Sequence, residues 1–109
     1  MKIHGQLGKG FKEAIYKDAL ELELIRNRIP HERERKFKVF YEGIELKSKF
    51  IADFVVFNGI VLEIKSRAVI SRSAFKQTLN YLRSSNIELG IIINFGEDSL
   101  AFQRVVCSR

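Results

Sequence analysis

Apolar side chains recur at two different periods along the chain, and the two periods predict different elements. Residues 11–27 and 71–84 carry an apolar side chain at every third or fourth position, which predicts two helices. Pro30 limits the first helix, because the residue before a proline disfavours the helical conformation. The other regular segments alternate apolar and polar positions or form short apolar runs, as strands do: residues 32–41, 44–57, 60–65, 89–95 and 100–107. This order of elements predicts an α/β fold with a mixed sheet flanked by helices.

The glycines and the apolar strips give more detail on the two helices. Residues 5–10 contain three glycines and are interpreted as a turn that leads into the first helix. The first helix carries two apolar strips, which predicts that much of its surface is covered. One strip consists of Phe11, Ile15, Ala19 and Leu22, and the other of Tyr16, Leu20 and Leu24. The buried stripe predicted for the second helix consists of Phe75, Leu79 and Leu82.

Two strand-like runs, residues 50–57 and 60–65, flank Asn58-Gly59, a pair that strongly indicates a β-hairpin. Three charged residues interrupt these apolar runs: Asp53, Glu63 and Lys65. A charge that faces a protein core destabilises the fold unless it is paired, hydrogen-bonded or bound to a metal. A metal site is the simplest explanation for two carboxylates on one hairpin.

The length of the hairpin loop decides whether such a site can form. A two-residue loop places Asp53 opposite Ile64, so that Asp53 and Glu63 lie on opposite faces. A three-residue loop, with Gly59 in the left-handed conformation as a bulge residue, places Asp53 opposite Glu63. Opposed Cβ atoms are about 4.5–5.5 Å apart, which allows two carboxylates to share one cation. The metal site therefore requires the longer loop.

Composition limits the classes of function. The 109 residues suit one domain, residues 1–109, and the single Cys107 excludes an internal disulfide framework. The apolar runs are too short for a membrane helix and the first residues lack the core of a signal peptide, so we expect a cytoplasmic protein. The net charge of +6 favours a polyanionic partner such as DNA or RNA.

The motifs resemble a known family at several points along the chain. Asp53, then Glu63-Ile64-Lys65, resembles the D…(D/E)xK signature of the PD-(D/E)xK nuclease superfamily. Residues 10–16 fit G-x-x-E-x-x-Y, the signature of the GxxExxY proteins, which are assigned to that superfamily, and residues 77–82 and 93–96 extend the likeness. The resemblance implies a restriction-endonuclease-like αβββαβ core and a nuclease that uses Mg²⁺ or Mn²⁺.

Two further residues, Glu13 and Gln77, have both a structural and a functional interpretation. Glu13 stabilises the start of the first helix through its dipole, or it completes the metal site, as the resemblance implies. Gln77 is a surface glutamine, or it helps to place the attacking water or a phosphate, as its counterpart in similar nucleases does. Tyr16 and Tyr81 are expected to lie in the same pocket.

Basic residues supply candidate contacts to phosphate groups. Arg33, Arg35 and Lys36 belong to one predicted strand, and Arg67 follows the hairpin. The alternative for the strand is a solvated edge that its charges protect from aggregation. Both interpretations place these side chains at the surface.

The predicted function is metal-dependent hydrolysis of phosphodiester bonds in nucleic acid, most simply DNA. Asp53 and Glu63 bind the cation with help from Glu13, Lys65 orients or deprotonates the water, and Gln77 assists. Two alternatives stay open: a catalytically inactive nucleic-acid-binding module, and an interaction subunit whose basic face docks an acidic partner. A homodimer would explain cleavage of both strands of a duplex.

Overall fold

The computed structural model of the protein describes residues 2–108, which form one five-stranded sheet with helices on both faces. No helix in this range is long and apolar enough to cross a membrane. The elements are α1 (Lys2–Leu7), α2 (Glu13–Arg26), β1 (His31–Phe37), β2 (Phe40–Tyr41), β3 (Ile44–Glu45), β4 (Phe50–Val56), β5 (Ile60–Lys65), α3 (Arg72–Ser85), β6 (Leu89–Asn94) and β7 (Ala101–Val106).

The strand order β1-β4-β5-β6-β7 places the predicted hairpin strand β5 at the centre of the sheet. β5 and β6 are parallel and are connected through α3, whereas every other neighbouring pair is antiparallel. The elements α2, β1, β4, β5, α3 and β6 follow the order αβββαβ, so the predicted restriction-endonuclease-like fold class is confirmed.

Each face of the sheet has its own apolar core. On one face α3 packs against residues such as Val61 and Ile92, and on the other face α1 and α2 pack against residues such as Leu62 and Ile93. The stripe predicted for α3 was partly wrong, because the buried residues of this helix are Ala74, Thr78 and Leu82. The helix lies so close to the sheet that a Cβ atom at Gly90 would be 3.1 Å from Thr78 Cγ2. Such an approach favours small side chains at the contact.

The N-terminal half differs from the prediction in two respects. Residues 2–7 form a helix, and the turn into α2 is limited to the segment that contains Gly8 and Gly10, both with positive φ. Only the strip Tyr16, Leu20 and Leu24 of α2 is buried, while Phe11, Ile15 and Leu22 are each more than two-fifths exposed. Helix α1 has only six residues, which are too few to cover the strip that contains Phe11, Ile15 and Leu22.

The β4–β5 loop has the predicted length but a different conformation. Val56 pairs with Ile60, as the three-residue loop requires. The positive φ angles belong to Phe57 (52°) and Asn58 (54°), as in a type I′ turn, and the Gly59 N–H donates to the Val56 carbonyl at 3.1 Å. The prediction of a left-handed Gly59 was therefore wrong, whereas the predicted register is confirmed.

The predicted long strands are interrupted by a second, smaller hairpin. Residues 44–57 do not form one bent strand, because β3 pairs back on β2 and ends at Glu45. Glu42 and Gly43 both have positive φ (51° and 78°), which closes a two-residue turn between β2 and β3. The strand predicted for residues 32–41 is split in the same way after Phe37.

The loop after β6 gives the first testable prediction. A Cβ atom at Gly96 would overlap the backbone of Arg67, whereas a Cβ atom at Gly5 in α1 would meet nothing within 4 Å. We expect Gly96→Ala to lower the free energy of unfolding by at least about 2 kcal/mol, because backbone atoms cannot move aside cheaply. Gly5→Ala, the matched control, should raise it by about 0.5–1 kcal/mol. Urea melts of both variants measure the difference, and equal midpoints would contradict the packing described.

Candidate active site

The candidate site lies where β4 and β5 separate. Their pairing runs from Val56↔Ile60 to Phe54↔Leu62. Beyond it, the Ile64 N–H donates to Asp53 Oδ2 at 2.7 Å instead of to a main-chain carbonyl of β4. The Asp53 carboxylate thus satisfies a strand amide at the point where the two backbones diverge. The divergence leaves room for side chains between the two central strands.

The backbone of β4 is distorted at the same point. Ala52 and Val55 pack in the core under α3, whereas Phe54 packs in the core under α2, so strict alternation fails near Asp53. The β1–β4 pairing is interrupted between Arg33↔Phe54 and Arg35↔Ala52, where Glu34 has a φ of 56° that is unusual for a strand residue. This irregularity allows Asp53 to reach towards β5.

Glu63 is the most perturbed acid of the site. Its side chain is buried, with a relative exposure of 7%, and its Oε1 atom has no hydrogen-bond partner among the described residues. Burial raises the pKa of Glu63 to about 9, and the charge of Asp53 and a hydrogen bond with Asp53 act in the same direction. Lys65 and Lys17 oppose this shift. Without a further cation, Glu63 is therefore neutral at pH 7.

Lys17 on α2 is a site residue that the sequence reasoning missed. Its Nζ lies 3.0 Å from Asp53 Oδ1, and the side chains of both residues are more than four-fifths buried. A sequence signal existed, because Lys17 follows Glu13 by four positions and shares its helix face. The ion pair gives Asp53 a cationic partner from the opposite side of the gap.

Lys65 and Gln77 line one cavity, which Glu13 and Tyr16 do not line. This cavity of about 220 Å³ is also lined by Arg67 and by Ser71, Ser73 and Ala74 at the start of α3. The Ser71 hydroxyl accepts the Ala74 N–H at 3.0 Å and caps the helix. Two cationic side chains and the positive end of a helix dipole therefore face the same space.

The predicted pocket residues Tyr81, Tyr16 and Glu13 have different surroundings. Burial and the charges of Glu63 and Asp53 raise the pKa of Tyr81, which places its phenol near both carboxyl groups. Tyr16 is fully buried, and its hydroxyl donates to the Gly8 carbonyl at 2.6 Å. Tyr16 thereby holds the segment before α2.

Glu13, half-buried, is the first residue of α2. No group of three or more acidic, His or Cys side chains suited to a metal occurs among residues 2–108. Participation of Glu13 in metal binding stays a prediction.

Asn94 fixes the position of Arg67 and was also missed as a site residue. Its side chain is fully buried; Oδ1 accepts the Arg67 N–H at 3.0 Å and Nδ2 donates to the Arg67 carbonyl at 2.9 Å. Lys65 and Asn94 are partners in the β5–β6 register. The connection after β5 is therefore tied to the end of β6.

The basic residues predicted to contact phosphate are not equally available. Arg33 forms ion pairs with Asp18 at 2.7 Å and with Glu21 at 3.2 Å. Arg35 donates to Asn58 Oδ1 at 2.9 Å. Lys36 and Arg67 are exposed, and Arg67 lines the cavity with Lys65. Their role in binding nucleic acid stays a prediction.

The carboxyl groups fit a hard divalent cation. Glu63 Oε1 is buried and unpartnered, and the repulsion between Asp53 and ionised Glu63 is the kind that a shared cation relieves. Mg²⁺ commonly uses one or two protein carboxylates and completes its shell with water and substrate phosphate. Two carboxylates are therefore sufficient as protein ligands.

Comparisons with known proteins agree with this geometry. The family model of the PD-(D/E)XK nuclease superfamily matches residues 1–105. The fold is similar to that in the crystal structure of SSO0001, with a TM-score of 0.68 at 24% sequence identity, which shows the fold alone. That match covers 85% of this chain and 50% of the other, so the chain spans half the length of that solved chain. No match was found among curated proteins.

The buried carboxyl of Glu63 predicts a pH-dependent stability. Its pKa rises from 4.5 to about 9 on folding, so the folded state holds the proton more tightly. The resulting stabilisation is complete below pH 4.5 and is lost as the pH rises towards about 9. With EDTA present, we expect the free energy of unfolding of the wild type to fall with pH more steeply than that of Glu63→Gln.

Urea melts across this range measure the two slopes, with the exposed Glu88→Gln as a control that should follow the wild type. Parallel profiles for wild type and Glu63→Gln would show that Glu63 is ionised in the fold.

Proposed function

Because the chain belongs to the PD-(D/E)XK nuclease superfamily, we propose that it hydrolyses phosphodiester bonds of nucleic acid, with DNA as the substrate and Mg²⁺ or Mn²⁺ as the cofactor. The observation that carries this proposal is the buried, unpartnered Oε1 of Glu63 beside the Asp53 carboxyl. A buried carboxyl oxygen without a partner destabilises a fold, so its presence is accounted for by a ligand that it binds.

In this proposal each side chain of the site has a separate task. Asp53 and Glu63 hold the cation, with Glu13 assisting from α2. A cation held there would supply Lewis-acid polarisation of the phosphate and a water molecule of lowered pKa. The Lys65 ammonium would orient the attacking water and stabilise the charge that develops on the phosphate.

The cavity beside Lys65 suits a phosphate group. Gln77 and Arg67 line it together with the capped start of α3, and Asn94 fixes the Arg67 backbone. A helix start and a guanidinium group are both good anion ligands. We propose that Gln77 and Arg67 hold the phosphate at this end of the sheet while Tyr81 borders the carboxylates.

Within the superfamily, we propose that the chain is a GxxExxY protein, on the strength of Gly10, Glu13 and Tyr16 at the spacing of that signature. The burial of Tyr16 and its hydrogen bond to Gly8 give the tyrosine of the signature a structural task. A homodimer would bring two such sites to the two strands of a duplex.

A second candidate function is a nucleic-acid-binding module without catalysis. The ion pair between Lys17 and Asp53 favours it, because an ammonium group already neutralises one of the two acids. The two functions differ in the effect of divalent cations, which a binding module would not need.

Cleavage by substituted proteins tests the catalytic tasks. We expect Lys65→Met to abolish cleavage of DNA in Mn²⁺ while leaving Mn²⁺ affinity largely intact, because an ammonium group cannot ligate a cation. Asp53→Asn should instead weaken Mn²⁺ binding first, because it removes a charge from the cation's shell. Gel assays on single-stranded and duplex DNA, with calorimetric Mn²⁺ titrations, separate the two effects.

The exposed Lys76→Met on α3 serves as the matched control for the loss of a lysine. Wild-type cleavage by Lys65→Met, or equal loss of Mn²⁺ binding in both variants, would contradict this division of tasks.

Lys17 gives an independent test of the cation site. Lys17→Met removes the ammonium that competes for Asp53, so we expect Mn²⁺ to bind about tenfold more tightly to this variant. Its melting temperature should also rise more on addition of Mn²⁺ than that of the wild type. The exposed Lys12→Met is the control and should bind Mn²⁺ as the wild type does. Weaker binding by Lys17→Met would show that Lys17 supports the cation site, and no binding by any variant would favour the inactive module.

A further inference from the structure

The small hairpin between β1 and β4 is a second feature that indicates a binding surface. We call residues 38–49 the aromatic arm. Its strands pair Phe40 with Glu45 and Tyr41 with Ile44, and the two-residue turn at its tip has a positive φ at both positions. This turn type matches the twist of a hairpin, so the arm is a regular structure at its tip.

The arm presents apolar side chains to solvent. Phe40, Tyr41 and Ile44 have relative exposures of 60%, 65% and 69%. Tyr41 and Ile44 are direct cross-strand partners, so they form one patch on one face of the hairpin. Contiguous exposed apolar surface is uncommon on soluble proteins and marks a binding surface.

The charges around this patch select the kind of partner. Residues 36–49 contain four lysines and two glutamates, and Glu45 is already paired with Lys49 at 2.9 Å. Lys36 and Lys47 are exposed and lie within a few residues of Phe40 and Tyr41 or of their partner strand in the sequence. The cores of protein–protein interfaces are depleted in lysine. Lysines interleaved with aromatic rings instead characterise surfaces that bind single-stranded nucleic acid.

The base of the arm adjoins the candidate active site. The Leu46 N–H donates to the Val39 carbonyl at 2.8 Å, and both residues line a cavity of about 210 Å³ together with Lys49 and Tyr81. Tyr81 stacks on Phe50 with ring centroids 3.5 Å apart. Phe50 belongs to β4, the strand that also carries Asp53. The cavity at the base of the arm therefore borders the strand that carries Asp53.

We propose that the aromatic arm binds a single strand of nucleic acid and leads it to the site between β4 and β5. Bases stack on Tyr41 on one face of the arm and on Phe40 on the other, the lysines contact phosphates, and the cavity that ends at Tyr81 accepts a base next to the bond to be cut. A single strand is required because the faces of paired bases are covered by their neighbours in a duplex. This inference rests on the proposed function for its substrate class.

The first experiment measures stacking directly. The chain contains no tryptophan, so Tyr41→Trp introduces a single fluorophore into the arm. We expect titration with a 12-mer of oligo(dT) in EDTA to quench its emission, whereas a duplex of the same length should leave it unchanged. Phe102→Trp, on the opposite edge strand β7, is the control, because Phe102 is similarly exposed at 57%. Equal quenching in the Tyr41→Trp and Phe102→Trp variants, or no quenching in Tyr41→Trp, would overturn the proposal.

The second experiment measures the contribution to binding. In EDTA, where no cleavage interferes, fluorescence anisotropy with labelled oligo(dT) should show Tyr41→Ala and Phe40→Ala binding at least about fivefold more weakly than wild type. Tyr41→Phe should restore affinity, and Phe102→Ala should not change it. Unchanged oligo(dT) affinity in both arm variants would refute the proposed role of the arm. An equal loss of duplex binding would also refute it. So would a change from dimer to monomer in sedimentation without loss of single-strand binding.

These outcomes separate the arm from the proposed function. If the wild type cleaves DNA in Mn²⁺ and the arm variants bind normally, the arm proposal fails and the nuclease proposal stands. If the wild type never cleaves but the arm variants lose oligo(dT) binding, the arm is confirmed on a binding module. If the wild type binds no nucleic acid at all, both proposals fail.

Discussion

The hydrogen bond from the Ile64 amide to the Asp53 carboxylate determines the geometry of the whole site. Antiparallel neighbours normally satisfy their amides with each other's carbonyl groups, which leaves no space between them. Here a side chain supplies the acceptor, so the part of β4 that precedes Phe54 can diverge from β5 without leaving a buried amide unsatisfied. The replacement of a main-chain acceptor by the Asp53 carboxylate opens the gap between β4 and β5. The approach of Lys17 and the position of Glu63 depend on that gap.

The site also shows how a fold accommodates two acids in a poorly solvated place. Glu63 avoids ionisation, because burial and the neighbouring Asp53 both raise its pKa. Asp53 accepts the Ile64 N–H and forms an ion pair with the Lys17 ammonium. The two carboxyl groups are therefore accommodated by different interactions, and a divalent cation bound between them would take the place of both sets of interactions. Burial of Glu63 without a partner for Oε1 is a local loss of stability of the kind found at functional sites.

The features predictable from the sequence are those determined by local patterns. The loop register followed from Asn58-Gly59 and the charge positions, and the αβββαβ order followed from periodicity and resemblance. The conformation of Gly59 was predicted wrongly because Phe57 and Asn58 take the positive φ angles instead. Lys17 and Asn94 were missed because their partners, Asp53 and Arg67, lie far away in sequence. An exposed lysine and a buried one look alike in a helical pattern, and only the packed structure distinguishes them.

The separation of the site residues along the chain has a consequence for the order of folding. Asp53 and Glu63 lie on one hairpin, and hairpins form early because little loop entropy opposes their closure. Lys17, which compensates Asp53, arrives only when α2 docks across the sheet. Above the pKa of an exposed glutamate, the nascent hairpin therefore carries two charges that repel each other before any counterion is in place. We expect refolding in the absence of divalent cations to slow as the pH rises, and the docking of α2 to be the step at which the repulsion is relieved.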